Sequence, residues 1–167
     1  MPPELSRPLH IGHVPAGGRD LEVVASAEEC AALAARLGIE EVRRLRAVLH
    51  LRPEDDGPVM VTGQLRAAVV QLCVVSRDPV LEQVESGISL RLLPPGRAAT
   101  DTPDDAVDEI ESQTGLVDLG ELLTEELALA LDPYPRHPDA ELPPEASDPD
   151  NSPFAGLAAL KGRQPPN

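Results

Sequence analysis

The segment from Val42 to Leu93 constrains this chain most, because it reads as three β-strands in a row with no helical period between them. From Val42 to Arg52 the period is two. Leu45, Ala47, Leu49 and Leu51 share one face, while Arg44, Arg46, His50 and Arg52 share the other with Val48 among them. Side chains alternate across a strand, so this pattern predicts a half-buried strand with a basic outer face. Glu54-Asp55-Asp56-Gly57-Pro58 has the composition of a turn. Val59 to Val75 follows as a Val-rich run with Val59, Val61, Leu65, Ala67 and Val69 inward, and Gly63 within it predicts a bulge or bend. Asp78-Pro79 breaks the chain. Val80 to Leu93 is the third run, with Val84, Ile88, Leu90 and Leu92 inward and Gly87 as a kink.

The flanks add helices and shorter strands. Leu5 to Val14 is extended, with Pro8 suited to an edge strand, and Leu21 to Ala25 is a second short strand. Ser26 and Glu29 form a capping box ahead of Cys30, Leu33, Ala34 and Leu37 on one helical face, and Gly38 stops that helix. Residues 94–106 read as a mobile acidic loop, and residues 107–117 add a short strand. A second helix starts at Asp118, with Glu121 completing another capping box. Its apolar stripe is Leu119, Leu122, Leu123, Leu127, Ala130 and Leu131, and Pro133 ends it. The expected fold is therefore α+β: an antiparallel, curled or barrel-like β-meander with two main helices and a short C-terminal helix. Residues 1–133 form one domain. Residues 134–167 form a Pro- and acid-rich arm that closes on Ser152 as cap, Pro153 at the first helical position, then Phe154, Leu157, Leu160 and Gly162.

Composition narrows the function. Tyr134 and Phe154 are the only aromatics, so the core is aliphatic and a platform that stacks unpaired bases is excluded. Acids number 29 against 14 basic residues, a formal net charge of −15, which disfavours a generally basic nucleic-acid surface and DNA binding. Residues 1–93 carry 13 acids and 10 bases, and residues 94–167 carry 16 and 4, so the acidity is concentrated in the second part. Cys30 and Cys73 stand far apart, which fits a reducing cytoplasm and not a disulfide scaffold. No apolar run reaches the roughly 18 residues of a membrane helix, and the N-terminus lacks a signal-peptide pattern.

Candidate chemistry is sparse. His10 and His13 have the spacing of a metal pair, but positions three apart on a strand face opposite ways and no further ligand stands nearby. Cys73 and Cys30 read as small buried hydrophobes in apolar elements. Asp104, Asp105, Asp108, Glu109 and Glu111 could take a hard cation, yet they lack the order of a calcium loop. Glu121, Glu125 and Glu126 lie on the polar side of the second helix. Phosphate-binding glycine loops and nucleophile motifs are absent, so neither a catalytic residue nor a cofactor nor a metal site is assigned. What remains is the arginine stripe of Arg43, Arg44, Arg46, Arg52 and Arg66, in a chain whose one lysine is Lys161. Arginine suits bidentate contact with phosphate or carboxylate, and either RNA or neighbouring acids could satisfy this stripe.

Three stretches resemble the YceD family, the large ribosomal RNA subunit accumulation proteins. They are Gly63-Gln64-Leu65-Arg66-Ala67 running into Gln71-Leu72-Cys73-Val74-Val75-Ser76-Arg77-Asp78-Pro79-Val80, then Gly115-Leu116-Val117-Asp118-Leu119-Gly120-Glu121 through Glu126 to Arg136, and the terminal Asn151 to Lys161. The Asp-Pro-Tyr-Pro after the helix is similar to the alphaproteobacterial branch. The resemblance implies a cytoplasmic, non-enzymatic factor needed for synthesis, processing or stability of large-subunit ribosomal RNA. The residues that carry the family pattern are Cys73, Asp118, Leu119, Gly120, Glu121 and Glu126. Many relatives pair cysteines at the Cys73 position and again after the helix. Here Ser76 takes the partner place, and Arg136-His137-Pro138 stand where the later pair would fall.

Two modes of binding follow for such a factor. Either Arg44, Arg46, Arg52 and Arg66 contact ribosomal RNA or its precursor particles, or Asp104, Asp105 and Asp108 with the second helix hold a basic ribosomal protein. The competing readings are a metal-dependent hydrolase built on the acidic cluster and a general protein-interaction module.

Overall fold

A computed structural model describes residues 4–100 and 107–141. The strands are β1 (Pro8–His10), β2 (Arg19–Val24), β3 (Glu41–Pro53), β4 (Val59–Leu72), β5 (Pro79–Leu93), β6 (Asp108–Glu111) and β7 (Leu116–Asp118). The helices are α1 (Ala27–Leu37) between β2 and β3, and α2 (Leu119–Ala130) after β7. The fold is α+β, as the periodicities predict. The C-terminal helix expected over 152–162 lies outside the described residues, as do Asp104 and Asp105.

Strands β2 to β5 form the expected antiparallel meander, and β6 joins the far edge in parallel with β5, giving the order β2-β3-β4-β5-β6. The sheet does not close into a barrel. The parallel step explains this: β6 lies beside Leu90 to Leu93, the last residues of β5, and extends the sheet outward instead of closing toward β2. The segment 107–117 therefore holds two strands and not one. Its second strand, β7, leaves the main sheet and pairs with β1 in a separate two-stranded ribbon, so β1 is not part of the meander.

Alternation decides the two faces. Leu45, Leu49, Leu51, Val61, Leu65, Val69, Val84, Ile88 and Leu92 point inward and are buried. Against them pack Cys30, Leu33 and Ala34 of α1, Leu119, Leu123 and Leu127 of α2, and Leu5, Leu9 and Ile11 from the N-terminal segment. Burying a Leu or Val of this kind is worth about 1.5–3 kcal/mol, so an aliphatic core suffices without aromatics. The capping box of α1 is present on both sides, Glu29 N–H to Ser26 Oγ and Ser26 N–H to Glu29 Oε2, and Gly38 takes the left-handed conformation at φ 67°.

Several local expectations are corrected. The bulge lies in β3 at Arg43, between Val42 and Arg44, whereas Gly63 keeps register opposite Leu49. Gly63 is needed because a Cβ there would run into the Val48 carbonyl. Gly87 introduces no kink, since β4 and β5 stay in register from Val59 to Leu72. Strand β4 stops at Leu72, so Cys73 belongs to a turn. Residues 94–100 form no helix or strand, as expected of a loop, and the described end of that loop is tied to β6: Glu111 accepts from Ala99 N–H at 2.8 Å, and Glu109 accepts from Thr100 N–H at 2.6 Å. His10 and His13 stack, with ring centroids 4.4 Å apart, because the chain leaves β1 for a 3-10 turn at Ile11.

Candidate nucleic-acid interface

The outer face of the five-stranded sheet follows directly from register. Arg46 stands opposite Arg66, Val48 opposite Gln64, His50 opposite Thr62, and Arg52 opposite Met60. Arg44 faces Ala68. Strand β5 continues these rows with Glu85, Gly87, Ser89 and Arg91, and β2 contributes Val24, Glu22 and Asp20 on the other side. The two middle strands, β3 and β4, carry five arginines and a single acid, Glu41, at the very start of β3. The acids of this face come from its margins: Asp20 and Glu22 on β2, Glu85 on β5, and Glu109 on β6, which with Glu54 holds Arg91.

Those margins pair with the arginines. Arg46 Nε lies 2.6 Å from Glu22, and Arg66 Nε lies 3.2 Å from Glu85. His50 Nδ1 lies 2.9 Å from Asp20, and Arg52 reaches the same carboxylate at 3.8 Å. Arg44 has an amide partner, Gln83 Oε1, at 2.9 Å. Arg46 and Arg66 keep about three fifths of their side-chain surface exposed (61 % and 62 %), so their guanidinium groups remain in water and these pairs are weak. Arg46, Val48, Gln64 and Arg66 line a shallow depression of about 190 Å³ in the middle of the face. Of the acidic residues in the alternative partner surface, Asp108 is exposed at the start of β6.

A different ionic cluster locks the N-terminal segment to both helices. Asp118, the cap of α2, accepts hydrogen bonds from Ser6 Oγ at 2.6 Å, Arg7 N–H at 2.7 Å and Gly120 N–H at 2.9 Å. Burial pushes its carboxyl pKa up, and the hydrogen bonds from Ser6, Arg7, Gly120 and Glu121 together outweigh that and hold it below the ordinary Asp value. Arg7 donates to Glu29 of α1 at 2.7 Å and to Val24 O at 3.2 Å. Its hydrogen bond holds the Glu29 carboxyl below the ordinary value. Arg36 of α1 bridges Glu4 and Glu121. Glu121 thus leaves the capping box expected for α2 and pairs across to α1, which depresses its own carboxyl as well. Gly120 lies against the chain at Leu5, where a Cβ would meet the Leu5 carbonyl.

The model of the family described as "Large ribosomal RNA subunit accumulation protein YceD" matches residues 61–161. The chain belongs to the YceD family. Neither the curated proteins nor the solved structures contain a match to it. The matched span covers β4 to α2 and runs on past the last described residue.

Most of the YceD pattern residues have visible structural work. Asp118 and Gly120 seat the N-terminal segment, Leu119 is buried in the core, and Glu121 ties α2 to α1. Glu126 accepts from Ser86 Oγ at 3.3 Å and so holds α2 on β5. Cys73 is not a hydrophobe in a strand. It is fully buried in a turn, and its sulfur accepts Val75 N–H and Ser76 N–H at 3.4 Å each. The backbone N–H of His137 is the largest influence on its thiol, followed by the Ser76 hydroxyl and the Ser76 and Val75 amides, and they draw its pKa down to about 6. The turn also holds the post-helix segment directly, Val74 N–H donating to Pro135 O at 2.9 Å. A metal between cysteine pairs does not fit these residues. The sulfur is engaged by backbone donors, and among the described residues no group of three or more His, Cys, Asp or Glu side chains converges on one point. Cys30 is the inert thiol, its pKa raised by burial.

Sequence reasoning found the arginine face but missed the lock. Ser6, Arg7 and Arg36 carry no motif and Glu29 shows only its capping-box role, and the signal that could have pointed to them was Glu121, an acid whose expected cap role was open to a basic partner on the other helix. Among the described residues no helix is long and apolar enough to cross a membrane.

Proposed function

We propose that this chain is a non-catalytic, cytoplasmic factor that supports accumulation of large-subunit ribosomal RNA by binding that RNA, or its precursor particles, through the outer face of β3 and β4. The family match supplies the process. The observation that carries the surface is the uneven charge by strand: five arginines on the two middle strands, against a single arginine and two acids on each of β2 and β5 beside them. A protein of net charge −15 meets a polyanion productively only where its positive groups are gathered. Arg44, Arg46, Arg52 and Arg66 are gathered here, and their surface pairs, each worth about 0–1 kcal/mol, are easily exchanged for phosphate. Such contacts position a backbone and carry little sequence information. Charge reversal at Arg44 and Arg46 is expected to weaken RNA binding and flatten its dependence on salt. Unchanged binding would remove this reading.

The acidic excess of residues 94–167 favours a second reading, in which this part holds a basic ribosomal protein. It predicts association with that protein that slows steeply when Asp104, Asp105 and Asp108 are neutralised at low salt. For the enzymatic alternative, a metal-dependent hydrolase on the same acids, stoichiometric metal surviving dialysis of the purified protein would be the supporting result.

A further inference from the structure

We infer that the outer sheet face is shaped for the backbone of a double-helical segment of RNA, seated in a trough whose floor includes Gly87. This rests on the RNA-binding reading above and specifies the form of RNA.

The trough is set by register. Beyond the Arg44-Ala68-Gln83 row, four more rows cross the face in order: Val24-Arg46-Arg66-Glu85, Glu22-Val48-Gln64-Gly87, Asp20-His50-Thr62-Ser89, and Arg52-Met60-Arg91-Glu109. The two inner rows contribute short or uncharged side chains on the middle strands and β5, and Gly87 contributes none. The outer rows bring arginine. Arg46 and Arg52 are six residues apart on β3, so at about 3.4 Å per residue the arginine rows stand about 20 Å apart. The depression lined by Arg46, Val48, Gln64 and Arg66 lies at the Arg46-Arg66 side of this trough. Arg46 and Arg66 oppose each other directly across β3 and β4, each offset by one exposed carboxylate, Glu22 and Glu85, which a phosphate between them can replace.

The chemistry of the floor selects the ligand. No Phe, Tyr or Trp stands in any strand from β2 to β6, so unpaired bases find nothing aromatic to stack on. Double-stranded RNA needs no such platform. It is recognised by shape, through phosphates and through the 2′-hydroxyls of its wide, shallow minor groove. Gln64, Thr62 and Ser89 offer amide and hydroxyl groups on the floor, between Arg46 and Arg66 on one side and Arg52 on the other, which suit the flanking phosphates, whereas Arg91 is held by Glu54 and Glu109. Asp20, Glu22, Glu85, Glu54 and Glu109 repel phosphate at the margins and confine the contact to the middle of the sheet. The 2′-hydroxyl contacts make the trough prefer RNA to DNA.

Gly87 gives a clean test. Its backbone is extended, and a Cβ there would meet no atom within 4 Å, so a side chain can be added and Gly87→Glu places a carboxylate on the outer face. The probes are a fluorescently labelled RNA hairpin, a DNA hairpin of the same sequence and the unpaired RNA strand, titrated with the full chain. The wild type is expected to bind the RNA hairpin about tenfold or more tightly than either control. Gly87→Glu, and independently Thr62→Glu, should weaken hairpin binding by about tenfold or more, while Gly87→Ala leaves it within about twofold. Equal binding of hairpin and unpaired strand, or full binding by both Glu variants, overturns the inference. If Arg46→Gln/Arg66→Gln loses binding while the Glu variants keep it, the RNA reading stands and the trough falls. If the arginine variant also keeps it, or the wild type binds none of the probes, the RNA reading falls and the trough with it.

Discussion

The same pair of chemical groups, guanidinium and carboxylate, does different work at the N-terminal lock and on the outer sheet face. At the lock the partners are far apart in sequence. Asp118 reaches Ser6 and Arg7 from more than a hundred residues away, and its oxygens satisfy backbone N–H groups as well as side chains. On the outer face the partners are cross-strand neighbours already brought together by the ladder, and they stay in water. Removing Asp118 at the lock leaves the part-buried Ser6 hydroxyl and the Arg7 and Gly120 amides without their acceptor. Removing a group from the face leaves its partner hydrated. The lock is therefore a device of stability, and the face is free to be a device of recognition.

Mutations should separate the two. Asp118→Ala is expected to have the largest effect, a loss of about 3 kcal/mol, because a helix cap and the ties to Ser6 and Arg7 go together. The urea midpoint measures it. Glycine makes the comparison with one kind of change. Alanine is better than glycine in a helix by about 1 kcal/mol, yet Gly120→Ala should destabilise by about 2 kcal/mol because its Cβ meets the Leu5 carbonyl. Gly87→Ala on the face should instead stabilise by about 0.5–1 kcal/mol, since the strand conformation suits alanine and the unfolded chain loses freedom. Equal signs for these two substitutions would break the contrast. Smallest of all, Arg66→Ala should leave stability within about 0.5 kcal/mol while still weakening RNA binding.

Acid provides an independent probe of the lock. The carboxyls of Asp118, Glu29 and Glu121 have folded pKa values below their ordinary 3.8 and 4.5. A group depressed in this way contributes stability that is fully present above its unfolded pKa and is lost as pH falls through the folded one. The urea midpoint should hence be insensitive to these groups above about pH 5 and decline below about pH 4. In Asp118→Ala that decline should be shallower. An equally steep decline in the variant would place the acid sensitivity elsewhere.

How much of this was legible follows from the range of each interaction. The faces of β3, β4 and β5 could be read because a period of two is written in consecutive residues. The ends of α1 could be read because Ser26, Glu29 and Gly38 act within one turn. Strands β6 and β7 are three or four residues long, and nothing local in Pro8 to His10 says that it pairs with Leu116 to Asp118. Barrel-like closure was an extrapolation from a run of antiparallel strands, and one parallel pairing at β6 cancelled it. Cys73 looked like part of β4 because the Val-rich composition continues past Leu72. Its place in a turn is set by Ser76, Arg77 and the distant Pro135 to His137 segment. The arginine face was visible, but the acids that share it come from β2 and β5, so only register showed that basic charge fills the middle and acid the margins.

The most direct test of the central claim uses a strain lacking this gene, complemented with the wild type or with Arg44→Gln/Arg46→Gln/Arg66→Gln. The readout is the ratio of large- to small-subunit ribosomal RNA. The variant should keep the wild-type urea midpoint and yet fail to restore the ratio. Full restoration by a variant stripped of these arginines would contradict the account and move the functional surface away from the sheet.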